Sequence, residues 1–237
     1  MGARANVGLH EHLVERVAAR MPDRSLKILD VGCGTGAMLL QLHDLGYGNL
    51  VGLDIAPPAN RASIEFYEVD LDKPYFPLPA RSVQLALAVE VIEHIENVGL
   101  LLAEFRRVLA PSGMVILTTP NVHSVEAKLR FLLLGQLKQF DAIGDPTHIY
   151  PVFRYPFLRI AARHGFAVAE EWGFPTNGSS PTSRASLRAL ATFAGLFGAR
   201  GSPAGDQWCL VLKRTEHDLN DDAVSKKQRL TAHYGSP

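Results

Sequence analysis

The sequence is poor in the features that announce a secreted, membrane-spanning or nucleic-acid-binding protein. It has two cysteines in 237 residues, Cys33 and Cys209. Two thiols build neither a disulfide framework nor a zinc site, which fits a reduced compartment. No apolar run reaches the ~18 residues expected of a bilayer-spanning helix. The opening stretch, MGARANVGLHEHLVERVAARMPD, has no apolar signal core, so a cytoplasmic location is expected. An excess of one charge is also missing, since 24 Lys and Arg balance 24 Asp and Glu. That disfavours a nucleic-acid partner. Residues 123–200 carry nine basic side chains against five acidic ones, a mild lean that a solvated face accommodates.

What the sequence does have is the stretch ILDVGCGTG at residues 28–36. Three apolar residues and one acid lead into Gly32, Gly34 and Gly36, and an apolar-periodic run from Ala37 to Leu45 follows. A buried strand that turns through glycines into a helix describes a nucleotide-type site. The glycine spacing alone also satisfies the dinucleotide pattern G-x-G-x-x-G/A. Asp30 separates the two readings. An acid just ahead of the turn repels a pyrophosphate but holds a ligand that carries an ammonium group. S-adenosylmethionine has that ammonium, a sulfonium and an adenosine, and no phosphate.

The rest of the chain reads as alternating strands and helices. Helices are predicted at residues 7–21, after Gly36, at 97–109, 125–137, 157–164 and about 184–197. Strands are predicted at 26–31, 50–55, 64–69, 83–91, 114–119, 166–172 and 207–213. Between the second and third strands Pro57 and Pro58 leave room for about one helical turn. The strand at 83–91 is apolar on both faces apart from Gln84 and Glu90, as a central parallel strand is. The pattern predicts an α/β, doubly wound, mainly parallel sheet. Residues 1–213 are expected to form one domain, with substrate-covering insertions at about 123–155 and 173–206. Residues 214–237 are polar and are expected to be a disordered tail.

Ligands in such sheets sit at the carboxyl ends of the strands, and acids fall there. Asp54 closes the second strand, about 20 residues beyond the turn, where a carboxylate accepts from ribose hydroxyls. Asp70 closes the third. With VGLDI, the stretch from EVDLDKP to AVEVIEHIEN, and RVLAPSGMVILTTPN in order behind ILDVGCGTG, residues 26–121 resemble the class I S-adenosylmethionine-dependent methyltransferases. The nearest resemblance is to the group containing the O-methyltransferases of quinone biosynthesis. It implies a Rossmann-like, seven-stranded sheet with the last strand antiparallel. It also implies Asp30, Gly32 and Gly34 at the methionine end of the cofactor, Asp54 on the ribose, Ile55 beside the adenine, and Asp70 with Leu71 at the adenine edge. The shortened connection after Ala56 departs from the family pattern on that side of the pocket.

Glu90-Val91-Ile92-Glu93-His94 follows the central strand. If it turns helical, Glu90, Glu93 and His94 converge on one side, and His148 in DPTHIYP is a candidate fourth group. Two carboxylates and imidazoles suit a divalent cation. Small-RNA terminal 2′-O-methyltransferases carry a similar ExxEH with a later histidine holding a metal. A second reading stands beside this one: Glu90 faces the amino-acid end of the cofactor, Glu93 and His94 set the loop, and His94 or His148 is a general base. Above the site, residues 123–155 and 173–206 are rich in aromatics, which suits a ring-shaped small-molecule acceptor or simply a core. The apolar run at 189–199 with Arg184, Arg188 and Arg200 is a candidate for peripheral membrane contact, though burial against the protein or a partner subunit explains it as well.

The expected activity is therefore methyl transfer from S-adenosylmethionine to an oxygen of a small molecule. The expected catalytic residues are His94, His148 and Glu93, with a divalent cation as a candidate second cofactor. Terminal RNA 2′-O-methylation, a nicotinamide-dependent oxidoreductase and a non-catalytic cofactor-binding protein are the alternatives. The first is disfavoured by the neutral charge. Asp30 and the lack of a Tyr-x-x-x-Lys signature argue against the second.

Overall fold

The computed structural model describes residues 6–58, 64–73, 75–142, 144–175 and 205–215. In chain order the elements are α1 (Leu9–Arg20), β1 (Ile28–Val31), α2 (Ala37–Asp44), β2 (Leu50–Asp54), β3 (Glu65–Glu68) and β4 (Val83–Val89). A 3-10 turn (Ile92–His94) follows, then α3 (Val98–Val108), β5 (Leu109–Pro120), α4 (Val125–Leu134), α5 (Arg154–Arg163), β6 (Phe166–Phe174) and β7 (Gln207–Arg214).

The strands form one seven-stranded sheet in the order β3-β2-β1-β4-β5-β7-β6. Neighbours from β3 to β5 pair in parallel, and β7 pairs antiparallel with both β5 and β6. The chain order reverses beside β1, between β1 and β4, which is where open α/β sheets carry their ligands. Helices cover both faces. On one, Leu9, Leu13 and Val17 of α1 and Met38, Leu39 and Leu42 of α2 pack on Ile28, Leu85, Ile116 and Val211. On the other, Leu101, Leu102 and Phe105 of α3 and Phe157 and Ala161 of α5 pack on Leu29, Ala86, Leu117 and Trp208. β4 is buried along nearly all its length, as its two-sided apolar sequence requires.

Three boundaries differ from the sequence reading by three residues or more, the first being α4, which ends at Leu134 with Gly135 in a left-handed cap instead of running to residue 137. Pro111, Ser112 and Gly113 do not end the helix outside the sheet, because β5 already starts at Leu109. The register runs from Val83 opposite Leu109 directly to Leu85 opposite Met114, so the tripeptide bulges out of a continuous strand. The helix at 157–164 starts earlier, at Arg154. The helix expected near 184–197, with its membrane-facing reading, and the tail beyond Thr215 lie outside the described residues. So does most of the connection between Pro58 and Ile64. Among the described residues no helix is long and apolar enough to cross a membrane.

Candidate active site

The turn after β1 is built by three glycines with positive φ: Gly32 (71°), Gly34 (52°) and Gly36 (77°). The amides of Gly32 and Cys33 donate to the carbonyl of Leu53 at 2.8 and 3.1 Å, which pins the turn to the end of β2. A Cβ on Gly32 would lie 2.6 Å from Val91 Cγ2, whereas one on Gly34 would meet nothing within 4 Å. Gly32 is therefore a packing position and Gly34 faces open space, a backbone cradle of the kind a ligand approaches closely.

Asp54 stands over this cradle. Its two oxygens accept from Gly34 N (2.7 Å) and from Ile55 N (2.7 Å). A carboxylate has about four lone-pair positions, so two remain for donors such as ribose hydroxyls. Asp30 lies behind the turn, 3% exposed. Burial, and next the negative charge of Asp54, push its carboxyl up to about 8. Such an acid favours a cationic ligand group, which would stabilise its ionised form. Cys33 is buried in the same turn, and burial raises its thiol well above the ordinary range, so it is no nucleophile.

The residues expected at the adenine side are more open. The Ile55 side chain is 69% exposed. Asp70 is exposed, accepts from Asp72 N at 3.0 Å and lies 3.6 Å from Lys73 Nζ. Leu71 is half-buried against the core.

Across the cleft, the stretch 90–94 does not form the expected helical face. Glu90 has φ 54°, and only Ile92–His94 make a 3-10 turn. The left-handed residue breaks the i, i+3, i+4 relation, so Glu93, His94 and His148 come together without Glu90. One ligand atom from each of these three lies within 4.8 Å of the others. Glu90 is instead held at the end of β4. Its amide donates to Thr118 Oγ1 (3.0 Å), and that hydroxyl donates back to Glu90 Oε1 at 2.8 Å. Gln207 hydrogen-bonds the same carboxylate; burial outweighs both bonds and pushes the group up to about 7. Thr118 and Gln207 were not foreseen in the sequence, because 28 and 117 residues separate them from Glu90 and only sheet pairing brings them there.

Glu93 is fully buried. Its carboxylate oxygens meet no partner in full hydrogen-bond geometry among the described residues; the Thr119 hydroxyl and the Glu93 backbone amide lie close enough to favour its ionised form. Burial, and next the charge of Glu90, raise the Glu93 carboxyl well above the usual range. The two imidazoles are oriented alike. His94 Nδ1 lies 3.0 Å from Thr147 O, and His148 Nδ1 lies 2.9 Å from Gln139 O. A carbonyl only accepts, so each Nδ1 carries the proton and each Nε2 carries the lone pair. The rings meet edge to face with centroids 4.8 Å apart. The carbonyl of Glu93 accepts from Ile149 N and Tyr150 N, both at 2.9 Å, which docks the His148 loop on the 3-10 turn.

A doubly wound sheet with one reversed strand, an acid-backed glycine turn and a second acid at the end of β2 is the architecture of the class I S-adenosylmethionine-dependent methyltransferases. The comparisons agree. The chain belongs to the methyltransferase-domain family, whose match covers residues 4–171. It is similar to the ubiquinone biosynthesis O-methyltransferase of Rhodopseudomonas palustris strain HaA2, at 30% identity over 165 residues. That match covers 64% of this chain and 62% of the relative, so the shared region falls short of two thirds of the relative's length. Among solved structures, an S-adenosylmethionine-dependent methyltransferase from Mesorhizobium loti is similar at 21% identity, with a TM-score of 0.53 and 84% and 96% of the two chains covered. A Burkholderia thailandensis 1,6-didemethyltoxoflavin N1-methyltransferase with bound S-adenosylhomocysteine is similar at 15% identity, with a TM-score of 0.57 and coverage of 87% and 78%. An O-methyltransferase and an N-methyltransferase among these proteins show that the shared fold leaves the acceptor atom open.

Proposed function

We propose that this protein transfers the methyl group of S-adenosylmethionine to a hydroxyl oxygen of a ring-bearing small molecule. The Glu93–His94–His148 cluster handles the acceptor. One observation carries the reading: both imidazoles have Nδ1 tied to a backbone carbonyl, so Nε2 is the nitrogen able to take a proton or ligate an ion, and one ligand atom from each lies within 4.8 Å of the buried Glu93 carboxylate. The similarity to a ubiquinone biosynthesis O-methyltransferase supports oxygen as the acceptor atom. Phe140 against the His148 ring, and the exposed Ile149, Phe153 and Tyr155, support an apolar ring.

The cofactor site fits its group. Asp30 and Glu90 supply negative charge near the glycine turn, Gly34 the close backbone approach, and Asp54 the acceptors for ribose. Bound S-adenosylmethionine supplies an already activated methyl on sulfur, so the protein's task is alignment and deprotonation. His94 or His148 takes the hydroxyl proton on Nε2 as the new bond forms.

The same cluster fits a divalent cation by its donor set, with the carboxylate oxygens of Glu93 and the two Nε2 atoms as ligands. A cation there would supply Lewis acidity that favours the ionised acceptor oxygen. An imidazole cannot ligate an ion and take a proton through one lone pair, so titration separates the two versions. Calorimetry with magnesium, manganese and zinc on the dialysed protein, with and without S-adenosylmethionine, is the test. Absence of binding leaves the histidine base alone.

The reaction itself is tested by radiolabelled methyl transfer to a set of catechols, phenols, amines and RNA 3′ termini. Label on the amines or the RNA, with none on the hydroxyl acceptors, overturns the proposal. A cytoplasmic location accompanies this reading.

A further inference from the structure

The segment just after α4 contains a buried cation. Lys138 is 5% exposed, and its Nζ lies 2.7 Å from Asp206 Oδ1 and 3.2 Å from Glu126 Oε1, both on buried side chains. Placing three charges in the interior is costly, and such a cluster persists where its geometry serves something. Lys138 and Gln139 are the central residues of a turn closed by Phe140 N donating to Leu137 O at 3.1 Å. Gln139 adopts φ 69°, a conformation that glycine takes readily and glutamine resists. The strained residue is the one whose carbonyl receives His148 Nδ1 at 2.9 Å. The next residue, Phe140, packs its ring against His148 with centroids 5.4 Å apart. Gly144 closes the seat from the other side, since a Cβ there would lie 2.5 Å from Gln139 O and 2.7 Å from Gln139 C.

We infer that the 137–140 turn is the seat that orients His148, with Lys138 as the positioning residue that holds the strained Gln139 carbonyl toward the imidazole. The proposal rests on the reading that His148 acts on the acceptor. Lys138 is buried with Glu126 and Asp206, outside the Glu93–His94–His148 cluster. Anchored by Glu126 at the start of α4 and by Asp206 just before β7, it ties the turn to the residue preceding Gln207, which holds Glu90. The cofactor-side acid and the acceptor-side imidazole are thus set from one buried cluster.

The test is long-range proton–nitrogen NMR on protein labelled with 15N-histidine, which reports which ring nitrogen carries the proton; His148→Ala assigns the signal. The wild type is expected to show His148 protonated at Nδ1 alone. Lys138→Met, and independently Gly144→Ala, are expected to give a mixture with the Nε2–H tautomer. Both are expected to lower kcat by about 10- to 100-fold, the range for partners that orient a functional imidazole; Gly144→Ala, which leaves the Lys138–Asp206 pair untouched, is expected to change the S-adenosylmethionine Kd less than about twofold. Gly144→Ala leaves the buried charges intact, so it decides the matter if Lys138→Met does not fold. An unchanged His148 spectrum in the folded variants, or a wild-type His148 protonated at Nε2, overturns the inference. Full kcat in His148→Ala would instead overturn the role given to His148, while the spectra still judge the seat.

Discussion

Replacing Asp30 with asparagine tests the reading of the cofactor site through stability and binding together. Asp30 is 3% exposed, between the glycine turn and β2. Its carboxyl is raised from 3.8 to about 8, and roughly four pH units at ~1.4 kcal/mol each give an upper limit of ~6 kcal/mol on the cost of ionising it in the fold. The folded state holds this proton more tightly than the unfolded chain does. Its contribution is therefore fully present below pH 3.8 and is lost as pH rises through about 8. Asparagine has nearly the same shape and no charge, so Asp30→Asn removes the slope. Urea unfolding of the ligand-free protein, followed by the fluorescence of buried Trp172 and Trp208, is expected to find the two proteins within ~1 kcal/mol at pH 5 and the variant more stable by ~2–4 kcal/mol at pH 9. Binding is expected to move the other way. A ligand ammonium favours the ionised acid, so S-adenosylmethionine binding at pH 7 should release about 0.9 proton from a group titrating near 8. Calorimetry in buffers of different ionisation enthalpy measures that number. Asp30→Asn should release about 0.9 proton fewer than the wild type, what remains coming from Glu90 at about 7, and bind about 10- to 100-fold more weakly, the loss of one charged hydrogen bond. A stability difference independent of pH, together with binding that exchanges no proton and keeps its affinity, refutes the reasoning.

Gly32→Ala forces a Cβ to 2.6 Å from Val91 Cγ2 at φ 71°, and it should cost ~3 kcal/mol of stability in chemical denaturation, strain and overpacking together. Gly34→Ala meets nothing within 4 Å; it should cost only ~1 kcal/mol from its backbone conformation, yet abolish measurable S-adenosylmethionine binding in a thermal-shift assay. Glu93→Gln keeps the shape of the cluster and removes its carboxyl group, and it should lower methyl transfer by about 100-fold while leaving cofactor affinity intact in calorimetry. His12 Nε2 accepts from both Arg16 Nε and Trp172 Nε1 at 3.0 Å, and burial, then Arg16, hold its pKa below 6.5. The stability this adds is present above pH 6.5 and is lost as pH falls through the lowered value. Protection factors in α1, which divide out the intrinsic pH dependence of amide exchange, should therefore fall as the pH drops below 6.5, and His12→Ala should remove that change.

The glycine turn, the order of strands and helices through β5 and the acids at the strand ends were all legible, because each is local. A strand turning through glycine into a helix needs its residues contiguous, and a two-sided apolar strand such as β4 declares itself by composition. The conformation of 90–94 was not legible. Helical spacing suggested that Glu90, Glu93 and His94 share a face, but nothing local announces that Glu90 takes φ 54°. That conformation follows from its amide and carboxylate both engaging Thr118 on the neighbouring strand. The bulge at 111–113 was missed for a similar reason, since Pro-Ser-Gly reads as a terminator and only pairing on both sides of it shows a continuous β5.

By itself, then, the sequence pointed to the class of ligand. The glycines and the acid at Asp30 are neighbours in the chain, and together with Asp54 and Asp70 at the next two strand ends their chemistry disfavours a pyrophosphate and favours a cationic adenosine. The tertiary structure alone decided which acids come together. Thr118 and Gln207 hold Glu90 at the end of β4, apart from the Glu93–His94–His148 cluster, while the carbonyls of Thr147 and Gln139 orient His94 and His148 beside Glu93. Those partners lie from 9 to 117 residues away in the chain, and hydrogen-bond direction is a property of positions in space that residue spacing does not encode.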